Sequence, residues 1–232
     1  MQETAPDRRQ VLAAAGLLAA AVPAAAAAQA PAVPSPGFAP KPLPFDPKSV
    51  PGLSEKLLVS HHDNNYAGAV RRLGAIKGQF AALDPATAPV FTINGLKREE
   101  LIAWNSMILH EVYFAGLGAK AGPSPALGRA IERDFGSHAR WAAEFAAMGK
   151  ALGGGSGWVL LTWSPHDGRL VNTWASDHTQ TLAGGTPLVA LDMYEHAYQM
   201  DYGAKAAAYV DAVMAALSFG HANEAFRKIG AA

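Results

Sequence analysis

The chain has 232 residues, of which 50% are hydrophobic and 16% are charged, so it can bury one or two packed layers. Its formal net charge is zero, which gives no electrostatic reason to expect a nucleic acid or an anionic membrane as a partner. It contains no cysteine, which excludes disulfides, thiolate-bound zinc and cysteine nucleophiles. Any chemistry must therefore come from imidazole, carboxylate, hydroxyl or phenol groups.

Residues 1–28 predict an export signal. Arg8 and Arg9 precede an alanine-rich, weakly apolar run that begins at Val11 and ends in small residues suited to cleavage. The arginine pair resembles the twin-arginine type of signal, which implies a periplasmic or secreted protein. Residues 29–43 are rich in proline and alanine and predict an extended linker. No membrane span is expected once the signal is removed.

Hydrophobic periodicity predicts an α-helical hairpin domain at residues 44–120. Apolar residues recur at helical spacing from Leu53 to about Leu83, which predicts a long helix. A helix broken near Asp63 is the alternative. Residues 84–95 predict a loop, because they contain two prolines, two threonines and an Asn-Gly pair. A second helix is predicted from Leu96 to Gly116, so that two helices and a loop make the hairpin.

Residues 121–232 predict an α+β domain. The run from Gly157 to Ser176 holds two β-rich segments around a His-Asp-Gly turn, which is typical of a β-hairpin. A third short strand is predicted from Leu188 to Leu191. Helices are predicted at residues 126–135, 139–152, 204–217 and 222–229. The predicted fold class is therefore α+β, with an N-terminal helical hairpin domain and a C-terminal α/β domain that holds a small, mainly antiparallel three-stranded sheet.

Residues 190–198 read ALDMYEHAY and place a carboxylate four residues before a histidine. On a helical turn, Asp192 and His196 would share a face and could converge on one ion. An isolated pair of this kind also fits a helix cap followed by a partly buried histidine. Two further histidines, His61 and His110, lie on the predicted helices of the hairpin. Three histidines and one aspartate would suit manganese or iron, which accept mixed nitrogen and oxygen ligands.

Several motifs resemble those of the iron/manganese superoxide dismutase family, across nearly all of residues 44–230. LDMYEHAYQMDYG is similar to the family's D-x-W-E-H-A-Y signature, with Tyr194 in place of tryptophan. FGSHARWAAEFAAMGKALGGGSGWVLL, LSEKLLVSHH and HEVYF look like other family segments. The resemblance implies the fold predicted above and an exported, divergent superoxide dismutase with one iron or manganese ion per chain. The implied ligands are His61, His110, Asp192 and His196.

The same resemblance implies roles for residues around the ligands. Glu195 would hydrogen-bond the partner subunit's His196 across a homodimer interface and orient that imidazole. Asn65 and Gln199 replace a histidine and a tyrosine that family members pair across the dimer, and two amides could still hydrogen-bond. Buried walls around the metal are expected from Tyr113, Phe114 and Trp158.

The family also keeps an amide or a histidine hydrogen-bonded to solvent on the ion. Ser106 is too short for this role, whereas His178 lies 14 residues before Asp192, as in members that use histidine. We therefore predict His178 for this role, with Gln180 as the alternative. An exposed histidine at a strand end is the other interpretation of His178. The remaining histidines are expected at the surface or in turns: His62, His138, His166 and His221.

One departure from the family pattern bears on activity. The tyrosine that lines the substrate entrance in the family is replaced by Ala69, and Tyr66 would be turned away from His61 on an α-helix. The alternative hypothesis is therefore a periplasmic protein that binds a metal or a partner and has weak or no dismutase activity. A metal-dependent oxygenase or hydrolase is a third interpretation, but it needs more than one free coordination position, which the His3Asp set opposes. Superoxide dismutation is the leading hypothesis.

Overall fold

The computed structural model describes residues 38–230. The predicted export signal at residues 1–28 and most of the predicted linker lie outside the described residues. The proposed boundary between a hairpin domain and an α+β domain near residue 120 stays a prediction. Within the described part of the chain, every helix is too short or too polar to cross a membrane.

The first helical region contains a wider turn. Ser54 caps it by accepting a hydrogen bond from the backbone N–H of Leu57 at 3.1 Å. Helix α1 (Glu55–Ser60) continues into a π-helical segment (His61–Tyr66) and then into α2 (Ala67–Ala81). A π-helix closes i→i+5 hydrogen bonds and occurs frequently at functional sites. The long predicted helix is therefore present, with a π-helical segment around Asp63 instead of a break.

Helix α3 (Val90–Ala115) completes the hairpin and begins before the predicted start at Leu96. The loop predicted at residues 84–95 is therefore wrong from Val90 onward. The carbonyl of Pro89 accepts a hydrogen bond from the backbone N–H of Thr92 at 3.0 Å, which closes the first turn. Extending a long helix costs little once it has formed, so its first turns tolerate the weak helix formers of the Asn-Gly pair.

Two capped helices follow the hairpin. Ser124 caps α4 (Pro125–Phe135) and Ser137 caps α5 (His138–Ala151), each by accepting a hydrogen bond from a backbone N–H three residues later. Between them Gly136 has φ of 85°, in the left-handed region that favours glycine at a helix end. The serine caps and the glycine explain why two short helices form here instead of one long helix.

Three antiparallel strands form one sheet in the order β2–β1–β3. The strands are β1 (Trp158–Ser164), β2 (Arg169–Ala175) and β3 (Thr186–Asp192). In this register Trp158 lies opposite both Ala175 and Asp192. The start of β1 and the ends of β2 and β3 therefore meet at one end of the sheet, and the predicted site residues His178 and His196 follow the two strand ends.

A hydrophobic core joins the helical hairpin to the sheet. Its largest buried side chains come from both parts of the chain and include Tyr66, Tyr113, Trp141, Trp158 and Tyr209. Helices α6 (Gln199–Tyr202), α7 (Ala206–Ala216) and α8 (Gly220–Lys228) close the chain. The structure thus confirms the predicted fold class.

Gly157 fixes the start of β1, and we expect Gly157→Ala to destabilise the protein. Its φ is 138°, and a Cβ there would lie 2.0 Å from the carbonyl oxygen of Ala175. Because the conformation and the space both exclude a side chain, the free energy of unfolding should fall by about 3 kcal/mol or more in urea titrations. Gly74→Ala in α2 is the matched control, since nothing in residues 38–230 outside its own stretch of helix lies within 4 Å of the new Cβ. It should raise stability by about 0.5 to 1 kcal/mol, and equal stabilities would contradict the argument.

Candidate metal centre

Four side chains from four different elements meet inside the protein. His61 comes from the π-helical segment, His110 from α3, Asp192 from the end of β3 and His196 from a 3-10 turn at Glu195–Ala197. Their ligand atoms all lie within 4.8 Å of one another. The fold therefore brings together all four residues that the sequence analysis named as ligands.

Asp192 and His196 do converge, but they do not share a helical turn. Asp192 pairs with Trp158 in the sheet and ends β3. The chain then turns back, so that Nε2 of His196 lies 3.2 Å from Oδ2 of Asp192. The helical explanation for the spacing of four is wrong, because the sheet ladder with β1 continues as far as Asp192.

The Nε2 atoms of three histidines surround one carboxylate oxygen. Oδ2 of Asp192 lies 3.1 Å from Nε2 of His61, 3.2 Å from that of His196 and 3.5 Å from that of His110. Atoms bound to one ion at about 2.1 Å lie about 3.0 to 3.6 Å apart when the angles between them are about 90 to 120°. These separations fit a mononuclear site with three nitrogen ligands and one oxygen ligand.

Burial sets the protonation of the group. His61, His110 and Asp192 are each at most 1% exposed. Burial lowers the pKa of His61, and it lowers the pKa of His110 to about 3. Burial alone would raise the pKa of Asp192, but the imidazoles of His196 and His61 hold it below its usual range. At neutral pH the group therefore presents an ionised Asp192 beside the neutral imidazoles of His61 and His110, which is the state that binds a metal.

One nitrogen lone pair in this group, on His110, lacks a partner in the described part of the chain. Nδ1–H of His110 donates to the backbone carbonyl of Ser106 at 2.6 Å, so Nε2 of the neutral ring is an acceptor. This buried Nε2 has no hydrogen-bond partner among the described residues, and it lies 3.5 Å from the carboxylate of Asp192. Two buried acceptors repel each other, and a buried charge without a counter-charge is costly. A cation would remove both penalties, so these residues fit an iron or manganese ion.

Aromatic side chains enclose the group. Tyr113, Phe114 and Trp158 are buried, which agrees with their expected position around the metal site. The ring centroids of Tyr113 and Phe114 lie 5.2 and 5.0 Å from that of His61, and Trp158 lies 5.2 Å from His110. Nδ1 of His61 has no hydrogen-bond partner within residues 38–230, so packing against these rings orients this imidazole.

Two tyrosines hold Asp192 from outside the ligand group. The backbone N–H of Tyr194 donates to Oδ1 of Asp192 at 2.9 Å, and the hydroxyl of Tyr209 donates to the backbone carbonyl of Asp192 at 2.8 Å. Oδ2 is thereby left facing the histidines. The sequence analysis missed Tyr209, because this residue lies in an alanine-rich helix and belongs to no recognisable motif.

His178 lies beside the ligand group, after the end of β2. Its Nδ1 accepts a hydrogen bond from the indole N–H of Trp158 at 2.9 Å. Because an indole can only donate, neutral His178 must carry its proton on Nε2. Burial lowers the pKa of His178, which favours this neutral form, and its ring lies 6.2 Å from that of His110. The alternative, Gln180, is engaged elsewhere, since its carbonyl oxygen accepts hydrogen bonds from the backbone and hydroxyl of Ser176.

Position 69 offers no phenol to the ligand group. Ala69 is buried in α2. Tyr66 is buried too, and its hydroxyl donates to Glu111 at 3.0 Å and accepts from the backbone N–H of Lys41 at 2.9 Å. Tyr66 is thus committed to other partners, although the α-helical argument against it does not apply to a π-helical turn.

Solvent reaches the ligand group from the side of His196. The side chain of His196 is 25% exposed, whereas the other three ligand residues are buried. The π-helical segment packs against the 3-10 turn at this side. Glu195 and Gln199 are exposed, and Asn65 is half-buried.

The other histidines are only partly as expected. His138 and His166 are exposed, in agreement with the sequence analysis. His62 and His221 are instead half-buried and line a pocket together with Tyr66. The expectation of a surface position is wrong for these two, because the hairpin and α8 pack around them.

Comparison with known proteins places the chain in a family. Residues 123–225 match the family model for iron/manganese superoxide dismutases, C-terminal domain. A protein of Cupriavidus metallidurans named superoxide dismutase [Fe] is 73% identical over 174 residues, which are 75% of this chain and 88% of that protein. The chain belongs to the iron/manganese superoxide dismutase family. This membership confirms the resemblance drawn from the sequence motifs.

More distant relatives carry both metals in their names. Superoxide dismutase [Mn] 1 of Halobacterium salinarum is 32% identical over 191 residues, covering 81% of this chain and 94% of that protein. Superoxide dismutase [Fe] of Aquifex pyrophilus is 33% identical over 190 residues, covering 78% of this chain and 88% of that protein. The family therefore leaves the choice between iron and manganese to details of the individual chain.

Removal of one imidazole should empty the centre. We expect His110→Ala to reduce the iron and manganese bound per chain at least tenfold, measured by mass spectrometry of the elements in the purified protein. His166→Ala is the matched control, because its imidazole is exposed in the turn between β1 and β2 and should not affect metal content. Equal metal contents in the two variants would contradict the ligand role of His110.

Proposed function

We infer that this chain is a superoxide dismutase that works at one iron or manganese ion held by His61, His110, Asp192 and His196. The observation that supports it is the convergence of three Nε2 atoms on Oδ2 of Asp192, in a member of this family. When bound, the ion supplies electron transfer: one superoxide is oxidised to dioxygen, and a second is reduced and takes up two protons to leave as hydrogen peroxide. Such chemistry needs no covalent nucleophile, which suits a chain without cysteine.

The charge of the ligand residues favours an anionic substrate. Asp192 contributes one negative charge, and His61 and His110 are neutral at physiological pH because burial lowers their pKa. The set therefore neutralises only one charge of a divalent or trivalent cation. The centre keeps a net positive charge in both oxidation states, and it attracts superoxide in both halves of the reaction. The approach is on the exposed side of His196.

We propose that His178 is the hydrogen-bond partner of solvent at the ion. The bond from Trp158 occupies Nδ1 of His178, so the proton of the neutral ring is held on Nε2. That N–H is a donor, so it stabilises hydroxide at this position more than water, because the hydroxide oxygen carries more negative charge. His178 thereby influences how readily a proton is given up beside the ion.

We propose iron as the natural metal. The relative with 73% identity is named as an iron enzyme, whereas manganese occurs in the names of relatives at about one third identity. Iron and manganese ions bind similar nitrogen and oxygen ligands, so the four ligand residues alone do not distinguish the two metals. Elemental analysis of protein isolated from its native cells tests this choice. Manganese in excess over iron would contradict it.

We further propose that the protein is exported and acts in the periplasm or outside the cell. The support is the arginine pair Arg8-Arg9 followed by the weakly apolar run from Val11. Fractionation of the producing cells tests it, and recovery of the full-length chain in the cytoplasm alone would oppose it.

We propose a homodimer in which the exposed side chain of Glu195 reaches the partner subunit. We expect Glu195→Ala to shift the protein toward monomer in sedimentation-velocity measurements, since a charge-assisted hydrogen bond to an imidazole of the partner subunit would be lost. Glu132→Ala in α4 is the control, because Glu132 is also an exposed helical glutamate. A wild-type protein that sediments as a monomer at micromolar concentration would contradict the proposal.

Superoxide consumption by the purified protein tests the activity. We expect the rate to be proportional to bound iron or manganese across preparations with different metal content. His178→Leu should lower the rate per bound ion about 10- to 100-fold, because the donor beside the ion is lost, whereas His178→Gln keeps a donor and should retain more activity. A folded, metal-loaded wild-type protein without activity would instead favour the metal-binding or partner-binding role that Ala69 raises.

A further inference from the structure

Four aromatic rings form a circuit that includes two of the ligand residues: His110, His178, Tyr194 and His196. The ring centroids are 4.8 Å apart for His178 and Tyr194, and 5.4 Å apart for Tyr194 and His196. The circuit closes through His110, whose ring lies 5.7 Å from that of His196 and 6.2 Å from that of His178. Trp158 contacts three members of the circuit, with centroids 5.2 to 6.2 Å away. Tyr194 is the one member of the circuit that is not a histidine.

Tyr194 lies between two imidazoles and is nearly parallel to both. The interplanar angle is 17° with His178 and 13° with His196, and offset parallel rings at these distances attract each other. The backbone of Tyr194 is held as well, by the bond from its N–H to Oδ1 of Asp192. Its ring is therefore fixed relative to the carboxylate and to both imidazoles.

His178 depends on this contact for its orientation. Its ring makes one hydrogen bond within the described residues, from Trp158 to Nδ1. A single bond at one nitrogen leaves a ring free to tilt about that contact, and a second flat surface removes this freedom. The side chain amide of Asn105 holds the backbone carbonyl of His178 at 2.6 Å, but this bond does not orient the ring.

We propose that Tyr194 is a positioning residue, whose ring sets the separation between His178 and His196 and thereby fixes the Nε2–H of His178 relative to the ion. This inference rests on the proposed function only in that it takes an ion to be bound at the centre, and its readouts do not depend on dismutase activity. The stacking involves the face of the ring, so the hydroxyl is dispensable for it. Phenylalanine should replace Tyr194, and an aliphatic side chain should not.

The experiment compares Tyr194→Phe and Tyr194→Leu with wild type, all as full chains loaded with one metal ion. Azide is the probe, because it is a small anion that binds at the ion without being consumed. We expect Tyr194→Leu to change the dissociation constant of azide about tenfold and to shift the visible absorption of the oxidised centre. Tyr194→Phe should stay within about twofold of wild type in both readouts.

Tyr202→Leu is the matched control for loss of a tyrosine ring. Tyr202 lies nearby in α6, where it packs on Tyr209 and bonds the carbonyl of Gly52, and it lies outside the ring circuit. This variant should lose thermal stability without a change in azide affinity or absorption. If Tyr194→Leu behaves in the same way, Tyr194 has a structural role only, and the proposal is overturned.

A second variant covers failure of Tyr194→Leu to fold. Tyr194→Trp places a larger ring between the imidazoles, so it should change azide affinity at least about threefold, and an unchanged affinity would overturn the proposal. The azide and absorption readouts do not require turnover. A wild-type protein without dismutase activity would therefore refute the proposed function, while these readouts would still decide the role of Tyr194.

Discussion

A buried carboxylate that no lysine or arginine of the described residues pairs with is the constraint on which this structure depends. Asp192 is fully buried, and three imidazole nitrogens lie within 3.5 Å of its Oδ2. Among residues 38–230 only histidines pair with this charge, and the lone pair of His110 Nε2 has no partner there. Both features are costly in a folded protein until a positive ion occupies the centre. Metal binding and folding stability are therefore linked at this point.

The rest of the fold places and holds that carboxylate. Pairing with β1 sets Asp192 opposite Trp158, and Tyr209 of α7 bonds its backbone carbonyl. Trp158 in turn fixes the tautomer of His178. Each of these contacts crosses between elements that are distant in sequence. The core is thus organised around one residue, and the aromatic side chains both fill space and direct polar atoms.

Much of this arrangement could be predicted from the sequence. The strands were recognisable because β-branched and aromatic residues flank a clear turn, and the four ligands because three histidines accompany a specific motif. The start of α3 at Val90 could not be predicted, since helix propagation overrides the turn preference of the Asn-Gly pair. The π-helical segment has no sequence signature, and the half-buried positions of His62 and His221 depend on packing between remote helices.

The site was predictable in composition but less so in geometry. A spacing of four suggested a helical turn, whereas Asp192 ends a strand and His196 follows in a 3-10 turn. Local periodicity cannot distinguish these two solutions, because both bring the side chains together. The role of Tyr209 depends on a tertiary hydrogen bond, which a single sequence does not reveal.

The π-helical segment ties the position of a metal ligand to the number of residues in the first helical region. A π-helical turn holds one residue more than an α-helical turn, so the segment His61–Tyr66 acts as an insertion stored inside a helix. Deleting one residue there would restore α-helical winding and leave α2 nearly in register with α1, because six π-helical residues turn about as far as five α-helical ones. The apolar face of α2, with Leu73, would keep its partners, whereas the residues of the segment itself, His61 among them, would shift relative to the metal centre. During evolution, insertions and deletions should therefore accumulate in the loop at residues 82–89, at the other end of the hairpin, and be excluded beside the ligand.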